Sequence, residues 1–161
     1  GNEFMNTFHL VRALGTTTSL KVLDLRSNNL STVYEMVNLT AALDNNTSIK
    51  RLNISHNKIQ SSAMNVFSSR LSSLKCVEDL WMEGTNLLDD EACQNLANAM
   101  KENYMISNLK CDPRLAHFAL ETIFGISFRP RGRLDLGVSG QGWLYPAIFR
   151  SSASTHGHGE N

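Results

Sequence analysis

Residues 20–30 read Leu20-Lys21-Val22-Leu23-Asp24-Leu25-Arg26-Ser27-Asn28-Asn29-Leu30, an L-x-x-L-x-L-x-x-N-x-L block. The block recurs. Its first apolar position falls at Leu20, Ile49, Val77 and Ile106, at intervals of 29, 28 and 29 residues. Three residues on stand Leu23, Leu52, Leu80 and Leu109, and two further on Leu25, Ile54, Met82 and Cys111. The asparagine position holds Asn28 and Asn57 but Thr85 in the third block, and Leu30, Ile59 and Leu87 close the motif. The fourth block breaks at Asp112-Pro113.

Alternation around Leu23 and Leu25 has period two, which predicts a short strand with one buried face. The asparagine is placed to bond backbone groups where the chain turns out of that strand. Identical short strands would then pair in parallel along a stack. Between blocks the period becomes helical. Leu10/Leu14, Leu39/Leu43, Phe67/Leu71 and Leu96/Met100 are i, i+4 pairs, each ending six residues before the next block. Such pairs share one helix face, which can pack on the back of the strands. The polar stretches 15–19 and 44–48 end the helices. Residues 4–14 read as the helix of an earlier repeat, so the chain is expected to begin mid-repeat and to expose an unpaired repeat end there. Asp112 is the expected N-cap, and Pro113 the first residue, of a closing helix over 112–124 with Leu115, Phe118, Ala119 and Ile123 on its apolar face.

This 28–29 residue period with a full helix between strands resembles the ribonuclease-inhibitor type of leucine-rich repeat. Leu80-Trp81-Met82 is similar to that type's common L-W-L strand. The resemblance covers about residues 1–112. It implies an α/β fold: a solenoid with short parallel strands on the concave face and helices on the convex face. About four repeats are expected, with a C-terminal helix and an irregular tail. It also implies a binding module with no catalytic residues in the repeats. Intracellular groups with such arrays include actin regulators of the tropomodulin type, actin-capping-protein linkers, phosphatase 1 regulatory subunits, GTPase-activating proteins for Ran and NOD-like receptors. The end of the array, residues 99–123, looks most like the last repeat of the capping-protein linkers or the phosphatase regulators. The expected domain is therefore 1–124, followed by a flexible tail over 125–161.

Residues flanking the buried leucine positions should point to the concave face. They form columns: Asp24, Asn53, Trp81 and Lys110 in the centre, with Arg26, Ser55, Glu83 and Asp112 beside them. The candidate partner-binding set is Asp24, Arg26, Arg51, Asn53, Asp79, Trp81, Glu83 and Lys110. Trp81 stands out because interfaces favour Trp and Arg as anchors. The competing reading has Trp81 packing on neighbouring strand side chains. The face grades from basic near Arg26 and Arg51 to acidic near Asp79 and Glu83, which fits a charged partner held in one orientation.

The totals narrow the classes. Fifteen basic and fifteen acidic residues leave no net field toward nucleic acid or an anionic membrane. No apolar run is long enough to span a bilayer. The odd set Cys76, Cys93 and Cys111 has no C-x-x-C pair and favours reduced, buried thiols in a cytoplasmic protein. His9, His56 and His117 share no ligand spacing. Asp89-Asp90-Glu91 reads as helix N-terminal charge. Asn29, Asn38, Asn45, Asn46 and Asn53 each sit in N-x-S/T, which supports an alternative as an extracellular receptor fragment. No nucleotide or hydrolase motif occurs, so no enzyme, metal, cofactor or small-molecule substrate is expected. The expected function is a protein-interaction scaffold. Its alternative is a regulatory subunit docking an enzyme or actin-assembly factor.

Overall fold

The computed structural model describes residues 7–87, 89–124 and 143–144, with the backbone alone for 7–11, 124 and 143–144. Strands and helices alternate as the two periodicities predict. The helices are α1 (Thr7–Thr16), α2 (Val33–Asp44), α3 (Ser61–Arg70), α4 (Asp90–Glu102) and α5 (Pro113–Phe124). Between them lie β1 (Val22–Asp24), β2 (Arg51–Asn53), β3 (Asp79–Met82) and β4 (Asn108–Cys111). These four strands form a parallel sheet in chain order, with Leu23, Leu52, Leu80 and Leu109 in one register. The helices pack in the same order, each on the next.

The buried positions are those of the repeating block. Leu52, Leu80, Ile54 and Met82 are fully buried and share one core with Leu39, Leu43, Phe67, Leu71 and Leu96 from the helices. The helices therefore cover one face of the sheet and leave the other open. Leu71 completes its i, i+4 pair from a 3-10 turn (Leu71–Ser73) just past α3. Leu20 departs from the pattern. Its equivalents Ile49, Val77 and Ile106 are buried, whereas Leu20 is 36% exposed. It lies at the outer strand, where no further repeat among the described residues covers it.

Polar groups close the turns. Asn57 Oδ1 accepts from the amides of Asn28 and Leu30, at 2.9 and 3.0 Å, one repeat earlier. Its Nδ2 donates to the Leu25 and Ile54 carbonyls. A second bracket precedes the strands. Asn46 donates to the Leu14 carbonyl at 2.7 Å and accepts from the amides of Ser48 and Ile49. Asn103 repeats that arrangement two units later on the Leu71 carbonyl and the amides of Met105 and Ile106. The sequence marks Asn46 structurally only as part of the polar turn 44–48 and gives no signal at Asn103. Every buried side-chain N or O atom among the described residues has a partner.

At the helix starts, Asp89, in the acidic run expected as helix N-terminal charge, caps α4 by accepting from the amides of Glu91 and Ala92. Asp112 does not cap α5 with its side chain. Its backbone carbonyl accepts from Ala116, but its carboxylate accepts from Gly84 N at 2.8 Å in the preceding repeat. The expected tail over 125–161 lies outside the described residues except at Trp143–Leu144. These form β5, which pairs antiparallel with β4.

Asn57→Ala strips five backbone groups of their side-chain partner at once, the Ser55 carbonyl at 3.3 Å being the fifth. Unsatisfied buried groups cost about 1–3 kcal/mol each before relaxation, so a loss of ~3 kcal/mol is expected by urea unfolding. Lys58→Ala, at the exposed neighbour, should stay within about 0.5 kcal/mol of the parent. A loss below about 1 kcal/mol at Asn57 would show that water replaces the bracket.

Candidate functional site

The helix-free face is built by strand register. Asp24, Asn53, Trp81 and Lys110 are aligned across β1 to β4, and Val22, Arg51, Asp79 and Asn108 form the column beside them. The first is the central column that alternation predicts. Side chains along them join strand to strand. Arg51 sends Nε and Nη2 to Asp79 Oδ2, at 2.9 and 2.8 Å. Asp79 Oδ1 accepts from Asn108 Nδ2 at 2.6 Å. One carboxylate therefore ties β2, β3 and β4 together. Lys110 pairs with Glu83 at 2.7 Å, and Lys50 with Glu78 at the same distance on the lower rim.

Trp81 occupies the centre. The Arg51 guanidinium lies 4.8 Å from its ring centroid and the Lys110 ammonium 5.5 Å. Asp79 and Trp81 alternate along β3 and so share one face, Glu83 follows in the turn beyond the strand, and the two cations come from the strands on either side. Each cation thus meets a carboxylate and the indole together. Such contacts contribute about 0.5–1 kcal/mol each at partly exposed sites. The indole is half-buried and packed by its neighbours, so the packing alternative accounts for part of its environment.

The other candidates divide. Asp24 and Arg26 pair with each other at 3.2 Å at the outer strand, both well exposed. The Arg26 amide, foremost, and then its guanidinium hold the Asp24 carboxyl below its ordinary range. Asn53 is not an accessible contact, being only 2% exposed. Its short side chain turns along the strand, accepting from Ser55 N at 3.0 Å and donating to Asp24 at 3.3 Å. Alternation set its face correctly but could not show that taller neighbours enclose it. Asn46 is buried too, so two of the five N-x-S/T asparagines have their amides engaged inside the fold.

Sequence reasoning missed a close approach on the upper rim. Gly84 has φ +62°, and a Cβ there would stand 2.3 Å from His56 Nδ1. The imidazole of one repeat lies over the turn of the next, and only glycine admits both the backbone and the ring. Beside it a groove of about 650 Å³ is lined by His56, Lys58, Leu87, Asp112 and Arg114. Its charges are mixed, and Arg114 is already held by Asp90 at 2.6 Å. Cys93 and Cys111 are buried, and burial raises both thiols above their ordinary value, Cys111 the more strongly. Among the described residues no group of three His, Cys, Asp or Glu is arranged to hold a metal ion. No helix there is long and apolar enough to cross a membrane.

No protein-family model matches the chain. No curated protein matches it either. Among solved structures it is similar to the tropomodulin C-terminal domain of Caenorhabditis elegans, at 11% identity and a TM-score of 0.47, over 74% of this chain and 92% of that one.

Gly84→Ala should cost about 2 kcal/mol, from the left-handed backbone and the His56 ring together. In a His56→Ala background the steric part is gone, and the same change should cost about 1 kcal/mol. Equal costs in the two backgrounds, by chemical unfolding, would show that the ring moves aside freely. With iodoacetamide at mildly alkaline pH, Cys76 should alkylate in the native chain. Cys93 and Cys111 should do so only after unfolding, as peptide mass mapping reads.

Proposed function

We propose that this chain is a protein-interaction module of the leucine-rich repeat class. Its repeats stack as a solenoid whose concave, helix-free face binds a protein partner. The observation that supports this best is the Trp81 cluster. An aromatic side chain at the centre of an open sheet face is held between Arg51 and Lys110, and both cations are oriented by carboxylates. Fixing these side chains in advance lowers the ordering cost of binding. Interface hot spots draw heavily on Trp and Arg in such surroundings. The contact set is Asp24, Arg26, Arg51, Asp79, Trp81, Glu83 and Lys110, with Asn53 as support beneath them. On this reading the chain acts as a cytoplasmic scaffold without catalysis of its own. Docking of an enzyme or an actin-assembly factor is the narrower form of the same role.

Trp81→Ala removes the anchor, and Arg51→Glu reverses its charge. Each should weaken partner capture about thirtyfold, equivalent to ~2 kcal/mol. Circular dichroism should stay that of the folded chain. Immobilised parent and substituted chains are compared against purified actin-capping protein, against purified phosphatase 1 catalytic subunit, and against lysate with mass-spectrometric quantitation. Capture of the same partner in equal amounts by all three chains would remove the concave face as the binding surface.

A further inference from the structure

Strand β5 breaks the direction of the sheet. Strands β1 to β4 run parallel, while Trp143–Leu144 runs antiparallel on the outer edge of β4. Its register sets Leu144 opposite Leu109 and Trp143 opposite Lys110. On its other side β4 pairs with β3 along its whole length. Without β5, the outer row of β4 N–H and C=O groups would stand open, and open strand edges recruit further strands.

We propose that the outer edge of β4 is a strand-accepting site, closed in cis by the chain's own Trp143–Leu144 acting as a displaceable strap. Three features support it. The first is direction: an antiparallel strap on this edge occupies the place that a further parallel strand would need. The second is brevity. Two paired residues face the four of β4, so the ladder has few bonds to break when it opens. The third is composition. Gly142 precedes the strap and Pro146 follows it closely, and proline has no N–H to extend the ladder. The apolar stretch Trp143–Phe149, otherwise without a role, gains one. Eighteen residues separate Phe124 from Trp143 (143 − 124 − 1), and a chain of that length can span up to roughly 60 Å. This edge is distinct from the Trp81 surface, so either assignment can fail without the other.

The full chain carrying Trp143→Pro with Leu144→Pro keeps no N–H at either strap position, so the one amide of the two that faces β4 is lost. Amide hydrogen exchange at Leu109, whose N–H turns to the outer edge because that of Asn108 donates to the Glu78 carbonyl, should become about tenfold faster. Exchange at Arg51–Asn53 and the circular dichroism should stay unchanged, which separates strap loss from unfolding. A synthetic peptide of residues 139–150, added to the substituted chain, should restore protection at Leu109. Unchanged exchange in the substituted chain would overturn the strap. Failure of the peptide to restore protection would overturn the accepting site. If protection in the parent chain rises with concentration alongside a dimer mass in light scattering, the strand comes from a second copy and closure in cis is wrong.

Discussion

The Asn57 carboxamide bonds backbone groups in two successive repeats, and neither repeat could satisfy those groups alone. Its oxygen takes two amides of the preceding repeat, and its nitrogen reaches carbonyls in both. A tight turn leaving a short strand strands several peptide groups beneath the surface, where each costs free energy unless bonded. The bracket works only when the repeats are held at one translation. That translation lines up Leu23, Leu52, Leu80 and Leu109, and with them every residue of the open face. The asparagines at 46 and 103 serve the opposite ends of the strands in the same way. Polar satisfaction thus fixes the register, and apolar burial supplies the driving force once the register is fixed.

The open face inherits its order from that register. A lone surface ion pair contributes little, because two long side chains must be held for modest Coulomb gain. Here Arg51 is restrained by Asp79 and the indole together, and Asp79 by Asn108 as well, so each partner added finds its neighbour already ordered. The result is a set of charged groups with fixed positions around one aromatic ring. Opposite charges are interleaved across it, so it presents a pattern and not a single field. Under the proposed binding role, such a pattern would favour discrimination between partners over bulk attraction.

The architecture was legible because it repeats. One ambiguous alternation says little, whereas four at nearly equal spacing fix strand, helix and columns together. The exposure of Leu20 accords with the unpaired repeat end expected there, because burial at its position depends on a neighbour on each side. Asn53 escaped because alternation gives the face a side chain takes, and the height of adjacent residues decides whether it reaches solvent. The bracket at Asn46 and Asn103 skips a repeat, with Leu74 in between, so it left no run of matching residues to notice. Asp112 sits where a capping carboxylate belongs, yet an amide one repeat back, at Gly84, claims it. The contact between His56 and Gly84 joins unlike residues in adjacent repeats and has no sequence signature beyond the glycine.

The two ends of the sheet show how far a repeat can stabilise itself. At β1, Leu20 and Val22 remain exposed on an edge with no described strand beyond it. At β4, the edge is met by β5 running the other way, and α5 lies against α4 to cover the last core residues, with Leu115, Ala119 and Leu120 buried. An array in which each unit touches only its neighbours leaves its terminal units short of half their contacts. Leu20 and Ile49 occupy the same place in the pattern and differ only in which side has a neighbour. The contrast between them measures what one adjoining repeat contributes. Leu20 is 36% exposed against 1% for Ile49, so that contribution is the burial of about a third of a leucine-class side chain, roughly 0.5–1 kcal/mol.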